Sequence, residues 1–162
     1  MDLLVRLSNT DSVVWMRESE SIWAYPTILF LHTLGLGILV GFTTTIDFRV
    51  LGFSRRLPLG PLHRLFRYVW IGFWINAVSG TLLLMMAPAK LYNLAFIIKM
   101  TCITLGVADM LWLKRRVFRP GPTAQETLEA SAAGRWLAIA SLALWAGAIT
   151  AGRLTAYVGV QR

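Results

Sequence analysis

Four long apolar runs, set off by short stretches rich in arginine and lysine, restrict this chain more than any other feature of its sequence. Runs of at least about 18 apolar residues read as membrane-crossing helices, because in lipid a helix satisfies its own backbone hydrogen bonds. The runs cover about 22–46, 68–87, 93–113 and 135–158. The fold class they predict is all-α, a polytopic four-helix bundle. Charged residues make up only 15% of the chain, against about 25% in soluble domains, which leaves too little polar surface for a water-soluble fold.

The formal net charge of +8 invites a nucleic-acid partner, so its placement matters. Arg49, Arg55, Arg56, Arg64 and Arg67 cluster around the first loop, and Lys114, Arg115, Arg116, Arg119 and Arg135 around the second. That asymmetry follows the positive-inside rule and accounts for the basicity without nucleic acid. Lys90, between the second and third runs, stands almost alone on the other side. The expected address is a bacterial inner membrane, multi-pass, with both termini on the periplasmic face. Membrane lipid is then the surrounding partner, and a homo-oligomer or a membrane complex is compatible with the small-residue stripes. One cysteine, Cys102, lies inside an apolar run and carries no information about redox compartment. Acidic residues precede the first long run and no small-residue cleavage site follows it, so a cleaved leader is not expected.

Residues 1–20 alternate apolar and polar groups, and read as a segment lying at the interface with Trp15 and Trp23 at headgroup level. Residues 21–162 form the four-span domain. Pro26 suits the first turns of a helix. Gly37 and Gly41 in the first run, and Ala143, Gly147 and Ala151 in the fourth, are small residues four apart that permit close helix contact. Pro120-Gly121-Pro122 forces an extended turn, and Thr123 to Glu129 suits a short surface helix.

Ionisable residues inside a span are expensive and mark candidate sites. His32 lies about 15 Å below the outer end of its run and Lys99 about 9 Å below the end of its own. Arg153 sits one or two turns from the outer end of the fourth run. Three basic groups on three helices therefore share the outer half. Lys99 and Arg153 have stems long enough to snorkel to the headgroups; His32 does not. A neutral His32 bonded to a hydroxyl or carbonyl of a neighbouring helix is the plain alternative to a ligand site. Gly35, one turn on, leaves space beside the imidazole, and Tyr25 adds a hydroxyl nearer the surface, with Ile28 as an apolar wall. Asp47, Arg49 and Asp109 fall near the inner helix ends and read as structural ion pairs, with proton relay as the alternative. His63 sits in the inner loop, about 20 Å or more from His32 in depth, so the two cannot ligate one iron. No cluster of metal ligands, phosphate loop or nucleophile–base pair is visible, and no catalytic residue is assigned.

The run Trp23-Ala24-Tyr25-Pro26, then His32 with Gly35, then Asp47-Phe48-Arg49 with Gly52, resembles an uncharacterised family of small four-helix bacterial inner-membrane proteins. Gly80, Phe96 with Lys99, and Gly152-Arg153 extend the resemblance along nearly the whole chain. It implies the fold and marks residues, but supplies no activity. In size and in its intramembrane histidine the chain is loosely similar to the membrane domains of copper-resistance and haem-binding four-helix proteins. Two functions fit these residues. One is a redox subunit in which His32 ligates a haem b iron or bonds a quinone headgroup, Lys99 and Arg153 meet its negative charge, and Met100 or Met85 supplies any second axial ligand. The other is a transport, metal-handling or accessory and assembly protein without enzymatic chemistry.

Overall fold

The computed structural model describes residues 6, 9–19, 21, 23–53, 64–117 and 132–158. They form α1 (Asp11–Glu18), α2 (Tyr25–Val50), α3 (Leu65–Met86), a 3-10 turn (Pro88–Tyr92), α4 (Leu94–Val117) and α5 (Ala132–Val158). No strand occurs among the described residues. The four helices α2 to α5 are each long and apolar enough to cross a membrane, so the chain is an integral, multi-pass membrane protein. The hydroxyls of Thr33, Thr45, Thr81, Thr101 and Thr150 each donate to the carbonyl four residues back, which silences them inside their own helices.

Each helix ends where local chemistry stops it, and the stops differ from those read off hydropathy. α2 begins at Tyr25, with Pro26 in its first turn, and runs past Ile46 to Val50, taking in Asp47 and Arg49. Gly52, at φ 88°, then closes it: Gly52 N–H donates to the Arg49 carbonyl (3.1 Å) and Phe53 N–H to that of Phe48 (3.0 Å). That pairing is a Schellman stop, which needs a residue able to adopt left-handed backbone. Asn93 opens α4 by accepting the Ala95 N–H at 2.9 Å. The segment between Pro88 and Tyr92, expected as a bare loop, winds into a single tight turn. The expected surface helix near Thr123, and His63, lie outside the described residues.

Two antiparallel hairpins, α2/α3 and α4/α5, pack together mainly along α2 and α5. Within the first hairpin the backbones touch. A Cβ on Gly35 would stand 2.7 Å from the Asn76 nitrogen, and one on Gly72 2.7 Å from the Leu39 nitrogen. The close contact expected of Gly37 and Gly41 is therefore made by Gly35 and Gly72. Gly37 is two residues on from Gly35, about 200° around the helix, so it faces away; neither Gly37 nor Gly41 would meet anything within 4 Å. In the second hairpin Gly106 seats the Trp145 ring and Gly147 the Cys102 sulfur, while Ala143 points outward.

The end of the bundle holding Val50, Leu65, Val117 and Ala132 is called the lower end here; Tyr25, Met86, Leu94 and Val158 mark the upper. The main apolar core, with Leu39, Ile46, Phe66, Val69, Leu113 and Trp145, fills the lower half. There the hairpins are tied by Ser141 Oγ donating to Asp47 Oδ2 (2.7 Å) and by Lys114 Nζ over the Phe66 ring (5.5 Å). A second, smaller cluster of Val13, Ile28 and Met86 fastens α1 to the upper end.

Candidate functional site

The upper half is organised by His32. Asn76, the one amide in the second apolar run, donates its Nδ2–H to the His32 carbonyl at 2.8 Å. In return His32 Nδ1 lies 3.0 Å from the Asn76 carbonyl and 3.2 Å from Ser79 Oγ. A carbonyl only accepts, so the imidazole proton sits on Nδ1. Gly80 makes the room: a Cβ there would meet His32 Cε1 at 2.9 Å and Nδ1 at 3.3 Å. The Nδ1–Cε1 edge is thus held against α3, and Nε2, on the other side of the ring, keeps its lone pair with no partner among the described residues.

Lys99 comes from the second hairpin. Its stem lies along Gly152 of α5, with Cδ and Cε 3.7 and 3.8 Å from where a Cβ would stand. Two cavity lobes meet between these groups, each lined by Tyr25, Leu29, His32, Lys99 and Gly152. The upper lobe, about 370 Å³, adds Arg17 of α1, Lys90, Phe96 and Thr155. The side lobe, about 610 Å³, adds Gly37, Gly41, Ile103, Trp145 and Arg153. Both volumes fall in the range of small-molecule sites, about 300–1,000 Å³. Four cations (Arg17, Lys90, Lys99 and Arg153) line the lobes, and no carboxylate does. Arg17 is paired at 3.1 Å with Glu18 at the surface. A cavity with this excess of positive charge suits a ligand that brings an anionic or strongly accepting oxygen.

Four of the five residues singled out from sequence as ligand-binding meet at this cavity: His32, Lys99, Tyr25 and Arg153, the last at its exposed rim. Gly35 does not; it is spent on the α2/α3 crossing, and the space beside the imidazole comes from Gly80. Ile28 is buried under α1 rather than lining the cavity. Met100 is 44% exposed on a shallow patch of α4, and Met85 packs with the Val13 cluster. Neither lines the lobes that hold His32. At the lower end Asp47 is 0% exposed; Ser141 serves its Oδ2, and Oδ1 is buried without a hydrogen bond among the described residues. Asp109 Oδ2 is buried in the same way, and Arg49 is buried nearby on α2.

Sequence reasoning passed over Asn76 and Ser79, and had Gly80 and Gly152 only as points of resemblance. The signal for Asn76 was a lone amide in mid-span with Ser79 and Gly80 one turn on, the pattern of a hydrogen-bonded crossing. Compared with known proteins, the chain matches no family model, no curated protein and no solved structure.

Proposed function

We propose that this is a redox-ligand-binding protein of a bacterial inner membrane, upper end and termini on the periplasmic side, whose cavity takes a quinol-type headgroup between His32 and Lys99. The orientation rests on the basic residues gathered toward the lower end. The headgroup assignment rests on one observation: the Nδ1–H of His32 is committed to α3, leaving Nε2 as the acceptor of a ring that lines the same cavity as Lys99.

The chemistry follows from those two side chains. Nε2 accepts a hydrogen bond from a phenolic hydroxyl and is placed to take its proton; the Asn76 carbonyl and Ser79 steady the ring as it becomes charged. The Lys99 ammonium supplies positive charge for the oxygen left behind and a donor to a quinone carbonyl. Tyr25 closes the site from above.

A second reading, haem b, is favoured by the same hydrogen bond, since iron-ligating histidines donate their other ring N–H to a carbonyl or carboxylate. Met100 and Met85 face elsewhere, so the iron would have His32 as its axial ligand from this chain.

The test is the detergent-purified protein, taken through a reduced-minus-oxidised spectrum, a pyridine haemochrome assay and quinone analysis of a solvent extract. The expected result is co-purified quinone without haem bands, lost in His32→Ala and Lys99→Ala. Sharp reduced bands that vanish in His32→Ala would replace the quinol reading with a b-type cytochrome. Neither cofactor, together with no binding of an added benzoquinol, would sink both.

A further inference from the structure

The side lobe of the cavity is a slot, and its walls are made by what two glycines lack. Gly37 and Gly41 line it from α2; Ile149 and Arg153 line it from α5. All four are exposed, so this side of the lobe lies on the flank of the bundle rather than inside it. Among the described residues a Cβ at Gly37 or Gly41 would meet nothing within 4 Å, so none of their side chains fills the space the glycines leave. Below the slot the two helices converge on the Ser141–Asp47 bond, with buried Trp145 as the floor of the gap. The slot continues outward onto an apolar groove along α2, lined by Phe30, Leu34, Ile38 and Phe42 with Thr33, Gly37 and Gly41. From His32 to Gly41 it runs about 14 Å down the helix.

A ligand arriving from water meets a different face. The upper lobe opens past Arg17 and Lys90, with Thr155 beside them. One route is thus cationic and the other apolar, and they join where His32 and Lys99 stand.

On the reading that His32 and Lys99 hold a headgroup, we infer that the ligand is lipid-borne. It enters sideways from the bilayer between α2 and α5, and its apolar tail lies in the Gly37/Gly41 slot while its oxygen-bearing head turns up to His32 and Lys99. Small residues at 37 and 41 are a steric requirement of the tail. They do not serve the fold, since both face away from the crossing that holds α2 to α3. Lipid tails are as apolar as leucine, so the slot gains no hydrophobic advantage over the bilayer; it admits a chain by shape.

The experiment uses the full chain in lipid nanodiscs, with two benzoquinols of the same ring substitution, one carrying a decyl tail and one without a tail. Binding is read for wild type, Gly37→Leu, Gly41→Leu and His32→Ala, each checked for unaltered thermal unfolding. A leucine in the slot is expected to weaken the tailed probe by at least about tenfold and to leave the tail-less probe unchanged, whereas His32→Ala weakens both. Equal binding of the tailed probe in wild type and both leucine variants would overturn the lateral slot while leaving the headgroup site standing. Equal loss of both probes in the leucine variants would also overturn it, by showing a general disturbance. Failure of both probes to bind wild type would sink the headgroup reading itself. A leucine variant that changes oligomeric state and neither affinity would assign the glycine face to a second copy of the chain, against the slot.

Discussion

At the lower end of the bundle Asp47 is wholly buried and bonded across the helix gap to Ser141, while at the upper end His32 is half-buried and lines a cavity, its Nε2 without a partner among the described residues. The glycines divide by face instead of by depth. Gly35 and Gly72 are crossed by backbone at 2.7 Å, and Gly106 is covered by an indole; Gly37 and Gly41 have open space where a side chain would be. Both halves are membrane-crossing helix of similar composition, so the difference lies in which face each residue occupies. On faces turned to a neighbouring helix, a polar group or a glycine is used to bring helices together. On the face turned to the cavity the same residue types leave space and a polar lining.

That contrast predicts a separation of effects: changes at helix-to-helix contacts act on stability, changes at the cavity on ligand affinity. The largest effect belongs to Gly72→Leu. Its side chain would press on the backbone of Leu39 and Gly35, and a loss of about 3 kcal/mol or more is expected, or no folded protein, followed by thermal unfolding in detergent. A Gly72→Leu protein with wild-type unfolding would remove the crossing as the anchor of the first hairpin. Next is His32→Ala, expected to weaken a bound benzoquinol by at least about tenfold, some 1.4 kcal/mol, in a titration. Its effect on unfolding should be near 0.6 kcal/mol, typical of one interhelical hydrogen bond in a membrane. Ser141→Ala reverses that pattern. It strips a buried carboxyl of its bonded partner, so about 1–2 kcal/mol of stability should go with no change in equilibrium affinity. The smallest effect is Trp145→Phe. Its indole nitrogen is buried without a hydrogen bond among the described residues, so removing the N–H should leave stability within about 1 kcal/mol of wild type or raise it. A large loss there would reveal a partner for that nitrogen.

The spans were legible because twenty apolar residues in a row have few other uses. Their ends were less so: α2, α3 and α4 extend beyond the apolar runs into arginine and lysine, which are good helix formers, and only Gly52 shows where α2 must stop. His32, Lys99 and Arg153 stood out because an ionisable group in a span is costly enough to need a reason. Asn76, Ser79 and Gly80 are neutral and small, so they stand out less, and their one signal is an amide in mid-span with two small residues a turn on. Gly35 and Gly37 are chemically identical and two positions apart. Which one lies at the crossing depends on how α2 is rotated against α3, and that is decided by Asn76 and Gly72, some forty residues away in the chain.

Ser141 to Asp47 and Lys114 to Phe66 tie the hairpins together at the lower end. Mechanically the second hairpin is then a lever with its fulcrum at one extremity. Over the ~20 Å from Asp47 to the level of His32, a tilt of a few degrees shifts α5 against α2 by about an ångström or two. Loosening the fulcrum leaves the groups at His32 as they are and changes how often the passage beside them stands wide. A substitution at Ser141, far from any bound molecule, would therefore be felt as a change in how fast a ligand comes and goes.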